Sequence, residues 1–600
     1  MDTPLLNERD IDFLLYELLD TESLLQRPRY REHSREIFNA TLQSARTVAE
    51  KHFANHNAKG DANEPHFDGE RVHLIPETKQ AWDAFAEAGF LAAHCDEEEG
   101  GLQLPEVILR TALAYVSAAN VASAAYPFLT IGAANLIRSF ASDDLKARFL
   151  PPMLDGRFSG TMALTEPDQG SALGDLRTTA TAAGDGSYRI RGQKMYISGG
   201  DHSLTDNIVH MVLARIEGAP AGVRGISLFL VPRNLVDDKG NVGERNDVQL
   251  AGLLHKMGYR NTTSTVLSFG EGDGAVGYLV GEPHRGLGYM FQMMNEARIG
   301  VGMGATVLGY QGYNHALEYA RSRPQGRLPS SRDARSPQVP IIRHGDVRRM
   351  LLAQKAYVEG ALALCLYASS LHEDQRTAPG AEGRSNAAQL LDLLTPVIKS
   401  WPSRYGVVAN DIAIQVLGGA GYIREYPLEQ LYRDNRLNPI HEGTEGIQGL
   451  DLLARKVPAE GLAGYQLLQG AIRQTVMEAR DCSSLAGQAG ALEKTLQQLD
   501  ETTLKLMGQL QADPDRGLAN ATLYLDAFGR VVVAWIWLRQ ALAAERGLAD
   551  ADSDTERHFY RGKLQAARYF SEWELPQAGP QLTLLSEGNS TPYEMEDAWF

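Results

Sequence analysis

One carboxylate in the sequence stands where it can act on a bound molecule. Glu442 lies between His441 and the small pair Gly443-Thr444, directly before a segment with helical spacing, in LYRDNRLNPIHEGTEGIQGLDLLARKV. A structural glutamate more often lies inside a helix with a Lys or Arg one turn away, where the pair stabilises the helix. Because Glu442 lies on a turn instead, we predict that it faces a ligand.

Two other turns carry hydroxyl groups and backbone amides that can contact a ligand. MALTEPDQGSALGDLRTTA places Thr165 and the pair Gly170-Ser171 after a β-like run. GQKMYISGG places Tyr196 and Ser198 at the end of another such run. Each segment alone is equally consistent with an ordinary hairpin turn.

Two glycine-rich segments differ in what they predict. In QVLGGAGYIREYPLEQLYRDNR, the glycines 418, 419 and 421 can present backbone amides to a pyrophosphate. GVGMGA, residues 300–305, matches the dinucleotide fingerprint, which requires a preceding strand. The preceding MFQMMNEARI has helical spacing, so we predict that these glycines allow close helix–helix packing.

No pattern of a metal site or a disulfide framework is apparent. His52 and His56 share one helix face in HFANH, but zinc needs further ligands, and a solvated helix face is the better interpretation. The three cysteines, Cys95, Cys365 and Cys482, are few and scattered. They predict a reducing compartment.

The composition is that of a soluble globular protein with several domains. The 600 residues are 44% hydrophobic and 22% charged, and this length exceeds what one hydrophobic core supports. The net charge of −17 argues against nonspecific nucleic-acid binding. The acidic N-terminus lacks the features of a secretory signal or transit peptide. No apolar run approaches the ~18 residues of a membrane span, so we predict a cytoplasmic protein without a transmembrane segment.

The spacing of apolar residues predicts a mainly helical α+β protein. Helical patterns come first, short β-like runs follow, and helical patterns then return, with a proline-containing loop at 324–342. The β-like runs predict an antiparallel sheet or small barrel. We predict a helical extension at 1–40, a helical domain at 41–160, a β domain at 161–284, a helical bundle at 285–455 and a further helical domain at 456–600.

Together, the motifs resemble those of the acyl-CoA dehydrogenase family of flavoproteins. The TEP turn with Gly-Ser, G-x-K-x-[WY]-I-[ST], R-x-Q, Q-x-x-G-G-x-G and [YH]-E-G-T occur here in the family order, over roughly residues 75–450. The extensions at both ends resemble the larger bacterial members, among them 3-methylmercaptopropionyl-CoA dehydrogenases, and more distantly the very-long-chain enzymes. The resemblance implies the family fold and FAD as cofactor.

The resemblance also assigns FAD-binding residues. Thr165, Tyr196 and Ser198 match residues at the flavin ring, with Tyr196 packing on the isoalloxazine and Ser198 near N5. Thr444 matches a residue that faces the cofactor. Arg323 and Gln325 match residues that reach the FAD phosphates. Gln415, Gly418 and Gly419 match residues that meet the FAD bound in a neighbouring subunit.

The reaction implied is α,β-dehydrogenation of an acyl-CoA thioester. Glu442 would remove the α-proton while a hydride passes from the β-carbon to the flavin, and its backbone N–H would stabilise the enolate together with a flavin ribityl hydroxyl. Burial would raise the pKa of Glu442, and Gly443 would leave room for the thioester.

Other residues of the substrate site follow from the same resemblance. Ser171 and Arg298 match residues that line the CoA thioester channel. Some family members carry the base directly before that arginine, but here the residue is Ala297. Glu296 lies about 100° further round the helix, so we favour Glu442.

The sequence also departs from the family pattern. QGR replaces Q-F-G after the first arginine of the loop, Asn295 replaces an aspartate, and EEEGG replaces EEYGG. A group of arginines is predicted in part to contact FAD and CoA phosphates: 321, 323, 327, 332, 335, 343, 348 and 349.

We predict an acyl-CoA dehydrogenase of fatty-acid β-oxidation that favours medium- to long-chain substrates. Its predicted partners are electron-transferring flavoprotein and a second copy in a homodimer. The alternatives are a 3-methylmercaptopropionyl-CoA dehydrogenase, a flavin oxidase or monooxygenase on the same fold, and a non-catalytic flavin-fold subunit.

Overall fold

The computed structural model describes residues 3–331, 333 and 335–600, and these form two compact units. One unit contains Arg35–Ala297. The other contains the N-terminal segment up to Ser34 together with Arg298–Phe600. The domain bounds derived from the sequence remain predictions.

The first part of the chain is helical, as its apolar spacing predicts. Asn120 shows how one helix begins, since its side chain accepts a hydrogen bond from Ser123 N at 3.0 Å. The α-helices before the sheet are α1 (Glu8–Asp12), α2 (Arg35–Val48), α3 (Asn57–Ala62), α4 (Pro76–Glu87), α5 (Glu106–Ala119), α6 (Val121–Phe140) and α7 (Asp143–Leu154).

The β domain lies in the unit Arg35–Ala297 and is built on one eight-stranded sheet. Its main path runs β10-β11-β5-β12-β7-β6-β3, and β4 pairs with β5 and β6. The strands of the chain are β1 (His66–Phe67), β2 (Val72–His73), β3 (Phe158–Ala163), β4 (Thr179–Ala182), β5 (Tyr188–Ser198), β6 (Asn207–Ile216), β7 (Ile226–Pro232), β8 (Asn234–Val236), β9 (Val242–Arg245), β10 (Val248–Leu253), β11 (Ser264–Phe269) and β12 (Ala275–Val280).

The expectation of an antiparallel sheet is wrong at two pairings. β3 pairs with β6 in parallel, with Phe158 opposite Asn207, and β4 also pairs with β6 in parallel. A parallel pair needs a connection of a dozen or more residues. The long segment between Ala163 and Asn207 supplies that connection for β3 and β6.

The two faces of the sheet carry separate hydrophobic cores. Along β6, Met211 and Leu213 belong to one core, which also contains residues of α6 and α7. Val212 and Ala214 belong to the other. Successive side chains of a strand point to opposite faces, and burial on both faces explains the nearly continuous apolar sequence of β6.

The remaining helices follow the sheet, and the glycines of GVGMGA lie inside the first of them. A Cβ on Gly302 would lie 2.2 Å from Ile398 O, so the predicted role in close helix packing is confirmed. These helices are α8 (Gly286–Ser322), α9 (Gly345–Thr377), α10 (Ala381–Leu417), α11 (Leu428–Asn435), α12 (Glu445–Asp451), α13 (Ala463–Arg480), α14 (Ala486–Ala512), α15 (Pro514–Leu518), α16 (Ala521–Asp550), α17 (Asp554–Tyr569) and α18 (Ala578–Ser586).

One of these helices corrects the expectation that no segment is apolar enough to span a membrane. α16 passes that test by length and composition, with a mean hydropathy of 1.4 over its best window. Most of that window, 89%, is buried within the protein. Its apolar surface is therefore already covered by neighbouring residues.

Candidate active site

Glu442 lies on a tight turn between α11 and α12, as the sequence predicts. Its φ is 54°, and that of Gly443 is 92°. A left-handed conformation costs a residue with a Cβ about 1–2 kcal/mol. Strain of this kind persists only where surrounding contacts hold it, and it is concentrated at functional sites.

Two buried side chains hold this turn. Lys399 of α10 donates a hydrogen bond from Nζ to Gly443 O at 2.5 Å. Gln448 of α12 donates from Nε2 to Glu442 O at 2.9 Å. Both side chains belong to fully buried residues, so the two contacts connect the turn to the interior of the helical unit.

The electrostatic surroundings of Glu442 suit a base. Burial raises the pKa of its carboxyl group, while the positive charges of Arg298 and Lys399 act in the opposite direction. Arg298 is itself buried and forms an ion pair with Asp451, with Nη1 and Oδ2 2.9 Å apart. Glu442 therefore has a pKa above the ordinary value without losing its opposing charges.

The backbone of the same turn can serve as a hydrogen-bond donor. Among residues 3–331, 333 and 335–600, none accepts a hydrogen bond from the backbone N–H of Glu442, Gly443 or Thr444. The Thr444 hydroxyl instead accepts from Ile447 N at 3.4 Å and begins α12. Side chain and backbone N–H groups of the turn are therefore both available to one substrate.

The structure shows why position 443 requires a glycine, for a reason that the sequence does not reveal. A Cβ at this position would lie 2.5 Å from Gln448 Nε2, and its φ of 92° disfavours every residue with a side chain. The glycine thus lets Gln448 reach the Glu442 carbonyl.

Substitution of this glycine tests the geometry of the turn. We expect Gly443→Ala to lower the rate of flavin reduction by substrate at least about tenfold, because a shift of the base by about 1 Å is enough for such a loss. Gly446→Ala is the matched control, since a Cβ there would contact its nearest neighbours at 3.8 Å or more. Rapid-mixing absorbance of the flavin measures both. Equal rates in the two variants would contradict the assignment.

Three predicted flavin-binding residues come together in the β domain. Met195 N, next to Tyr196, donates to Thr165 O at 2.9 Å, and the Thr161 hydroxyl donates to Ser198 O at 2.5 Å. Tyr196 is 63% exposed and has a φ of 60°, which is rare for a bulky residue. The structure therefore holds an uncovered aromatic ring beside two hydroxyl-bearing residues.

A buried ion pair fixes the turn that carries Thr165. Lys194 Nζ and Glu166 Oε1 lie 2.9 Å apart, and both residues are buried. Glu166 also accepts a hydrogen bond from the Thr178 hydroxyl at 2.6 Å. Burial acts to raise the pKa of Glu166, but Lys194 and these hydrogen bonds hold it below the ordinary value. A charged Glu166 thus links the turn to β5 and to the segment entering β4.

The residues predicted to reach the FAD phosphates or to meet the FAD of a neighbouring subunit lie in exposed segments of the helical unit. Arg323 and Gln325 follow α8, and Gln415, Gly418 and Gly419 lie at the end of α10; all five are exposed. Tyr319 and Tyr426 connect these segments, with ring centroids 6.0 Å apart. Arg332, one of the predicted basic residues, lies outside the described residues.

The remaining substrate-site residues differ in their surroundings. Ser171 is exposed in the loop before β4. Glu296, the rival base, is buried and accepts a hydrogen bond from Asn135 Nδ2 at 2.9 Å. That contact gives Glu296 a structural partner and supports the choice of Glu442.

One expectation about histidines is wrong. His56 does not lie on a solvated helix face: it is fully buried, and its Nε2 lies 2.8 Å from the Ser123 hydroxyl. The helix changes to π and 3₁₀ turns over Ala49–Phe53 and Ala54–His56, so the simple i, i+4 geometry does not apply. Within the described part of the chain, no group of three His, Cys, Asp or Glu residues could hold a metal ion.

Lys399, Gln448 and Asp451 were not recognised from the sequence. A signal for Lys399 exists, because it is the charged residue within the apolar run LLTPVIKSWP, and buried lysines are rare without a specific partner. Gln448 lies one helical turn beyond Thr444, which places it over the start of α12. Asp451 gave no comparable signal.

Family models match nearly the whole chain. The acyl-CoA dehydrogenase N-terminal domain matches residues 36–157, the middle domain 161–271 and the C-terminal domain 284–457. The model called acetyl-CoA dehydrogenase C-terminal like matches 468–596. The chain belongs to the acyl-CoA dehydrogenase family.

Full-length relatives and a solved structure agree with this family. The 3-methylmercaptopropionyl-CoA dehydrogenase of Ruegeria pomeroyi is 35% identical, over 96% of this chain and 97% of that protein. The broad-specificity linear acyl-CoA dehydrogenase FadE5 of Mycobacterium tuberculosis is 33% identical, over 99% of both. An acyl-CoA dehydrogenase of Bacillus anthracis, solved with FAD, has the same fold at a TM-score of 0.74 and 20% identity, covering 99% of this chain and 92% of that one.

Acyl-CoA dehydrogenases are flavin-dependent oxidoreductases, and their cofactor is FAD. The predicted family, mainly helical fold, enzyme class and cofactor are therefore confirmed. The chemistry of the described residues fits a flavin, because the exposed ring of Tyr196 offers a stacking surface and Thr165 and Ser198 offer hydroxyls. Gly418 and Gly419 are exposed, and a Cβ built on either would meet no atom within 4 Å beyond its chain neighbours. This turn therefore leaves space for a phosphate, although the Gly418 N–H itself donates to Ile414 O and Gln415 O.

Proposed function

We propose that the protein oxidises a saturated acyl-CoA to the trans-2-enoyl-CoA, with Glu442 as the base. The observation that carries this proposal is the turn at Glu442. A carboxylate of raised pKa and backbone N–H groups that have no acceptor among the described residues lie there within three residues. A non-catalytic subunit would have no need for this strained and supported arrangement.

The proposed role of Glu442 is to take the proton from the carbon next to the thioester. The C–H bond breaks, a carboxyl O–H bond forms, and negative charge develops on the thioester oxygen. The backbone N–H of Glu442 donates to that oxygen and thereby stabilises the charge. Bound FAD would supply the hydride acceptor for the neighbouring carbon. Thr165, Tyr196 and Ser198 are the proposed contacts to its ring, and Arg323, Gln325, Gln415, Gly418, Gly419 and Thr444 are proposed for the rest of the cofactor site.

The proposed substrate is a linear acyl-CoA of medium to long chain. The similarity to a broad-specificity linear acyl-CoA dehydrogenase supports this class. The 35% identity to a 3-methylmercaptopropionyl-CoA dehydrogenase favours a methylthio acyl-CoA as the second candidate. Ser171 and Arg298 are proposed to lie along the thioester channel, with Arg298 fixed by Asp451.

The proposed setting is the cytoplasm, with electron-transferring flavoprotein as electron acceptor and a homodimer as the assembly. The small number of cysteines and their scatter along the sequence support a reducing compartment. Tyr422, next to the glycine turn, is 84% exposed and Ile423 is 46% exposed. Such an apolar surface supports contact with a second subunit.

Anaerobic substrate titration tests the proposed function. We expect the purified flavoprotein to lose its flavin absorbance on addition of acyl-CoA and to form enoyl-CoA, with rates compared from butyryl- to stearoyl-CoA and with the methylthio substrate. Electron-transferring flavoprotein or a dye should then restore the absorbance, while oxygen consumption stays low. Rapid reoxidation by oxygen would favour a flavin oxidase instead, and no bleaching by any acyl-CoA would refute the proposal.

A further inference from the structure

Two consecutive carbonyl oxygens of the Glu442 turn are held by buried side chains from two different helices. Lys399 of α10 binds Gly443 O at 2.5 Å, and Gln448 of α12 binds Glu442 O at 2.9 Å. These oxygens belong to the peptide groups that follow Glu442 and Gly443. Both residues have left-handed φ angles. Together the two contacts hold the backbone from which the Glu442 side chain extends.

The charge of Lys399 requires its own explanation. A buried ammonium group is unfavourable unless nearby groups compensate it, and a neutral donor would hold the Gly443 carbonyl equally well. Lys399 is fully buried, next to Ile398 and near Trp401, which are buried as well. Burial lowers the pKa of Lys399 to about 8, while the carboxylates of Glu442 and Glu445 act to raise it. The ammonium group is therefore charged at neutral pH and interacts electrostatically with Glu442.

The other charged and titratable groups around the Glu442 turn differ from Lys399 in their charge or in their binding partner. Arg298 of α8 also acts to lower the pKa of Glu442, and it forms an ion pair with Asp451 of α12 at 2.9 Å. His441 is uncharged at neutral pH, since burial, assisted by Lys399, lowers its pKa to about 3. Glu445 of α12 contributes negative charge. Lys399 thus supplies positive charge that is hydrogen-bonded to a carbonyl rather than to a carboxylate.

We infer that Lys399 and Gln448 are positioning residues for the dehydrogenation proposed above: both hold the Glu442 turn in its left-handed form, and the Lys399 charge keeps the carboxylate ionised until it takes the substrate proton. This inference rests on the proposed function of Glu442. Gln448 contributes geometry alone, whereas Lys399 contributes geometry and charge. The two residues therefore differ in their expected pH behaviour.

The test measures the limiting rate of flavin reduction by acyl-CoA as a function of pH in the FAD-containing protein. In the wild type, the rate rises with pH as Glu442 loses its proton. Lys399→Met removes a charge that lowers the pKa of Glu442. We therefore expect the low-pH side of its pH–rate profile, called the acid limb here, to shift upward by about one pH unit. We also expect its limiting rate at neutral pH to fall at least tenfold, with substrate affinity little changed.

Two further variants separate charge from geometry. Lys399→Arg keeps the positive charge, so its acid limb should stay at the wild-type position. Gln448→Met removes a neutral donor and should lower the limiting rate without moving the acid limb. Lys494→Met, at an exposed position of α14, is the matched control and should equal the wild type in rate and profile.

Each outcome decides for or against the inference. A Lys399→Met protein that binds FAD and reproduces the wild-type pH profile overturns it. If Lys399→Met does not retain FAD, the inference stands or falls on whether Gln448→Met has a lowered limiting rate with an unmoved acid limb. Failure of the proposed function is distinguishable, because then the wild type itself is not reduced by acyl-CoA, or Glu442→Gln is reduced at the wild-type rate.

Discussion

Glu442→Gln is expected to bind FAD as the wild type does and to lose about a thousandfold in the rate of flavin reduction by acyl-CoA. The amide has nearly the same shape and leaves the backbone of the turn unchanged, but it cannot accept the α-proton. General-base catalysis contributes about 10² to 10⁴ in rate, and the expected loss lies within that range. Rapid-mixing absorbance of the flavin under anaerobic conditions measures the loss.

Glu296→Gln is the matched control for this experiment. Glu296 belongs to α8 and is hydrogen-bonded by Asn135 at 2.9 Å, so its replacement should leave the rate within a few-fold of the wild type. Near-wild-type bleaching in Glu442→Gln, or a large loss confined to Glu296→Gln, would show that Glu442 is not the base.

The second large effect concerns a buried charge cluster in the helical unit. Lys563 of α17 is fully buried and forms ion pairs with Asp10 of α1 and with Glu359 of α9, the latter at 2.8 Å. Tyr310 also donates its hydroxyl to Asp10 at 3.0 Å. Burial acts to raise the pKa of Glu359, but Lys355 and Lys563 hold it below the ordinary value. The cluster thus joins the N-terminal segment to the last part of the chain through compensated charges.

Lys563→Met is expected to lower the free energy of unfolding of this unit by about 3–5 kcal/mol, because it leaves Asp10 buried without its opposing charge. Thermal unfolding followed by calorimetry should show the transition of this unit moved to lower temperature. Arg561→Met, at an exposed position of the same helix, is the control and should unfold like the wild type.

A double substitution identifies the cause of that loss. The double variant Lys563→Met with Asp10→Asn should lose less free energy of unfolding than the two single variants lose together. The second change removes the buried charge of Asp10 that Lys563→Met leaves without an ion-pair partner. Strict additivity would mean that Lys563 stabilises the unit through packing against Phe13 and Trp537, to whose ring centroids its Nζ lies 5.1 and 5.6 Å, respectively.

The sequence was sufficient to predict the order of helical and β segments and the position of Glu442. Local patterns explain that success, since apolar spacing reports burial and a carboxylate at a turn lacks a helical partner. The role of the glycines at 300–305 was also predictable, because a helical segment preceding them excluded the alternative. These inferences needed only neighbours along the chain.

What the sequence did not reveal depends on contacts between distant residues. Lys399 meets Gly443 across 44 residues, and nothing local shows that its ammonium group reaches the turn. The sequence pattern is misleading at His56, because its helix changes to π and 3₁₀ turns and the ring contacts Ser123. The parallel pairing of β3 with β6 likewise follows from a long connection rather than from strand composition.

The contacts between α1 and α17 also constrain how the protein is synthesised and folded. Arg9 donates to Glu556 at 3.0 Å across 547 residues, and Asp10 meets Lys563 in the same region. On the ribosome, the first helix therefore emerges long before its binding partners are synthesised. Its charged and apolar groups must stay soluble until α17 has been synthesised, so the helical unit completes its folding only after the β domain has had time to form.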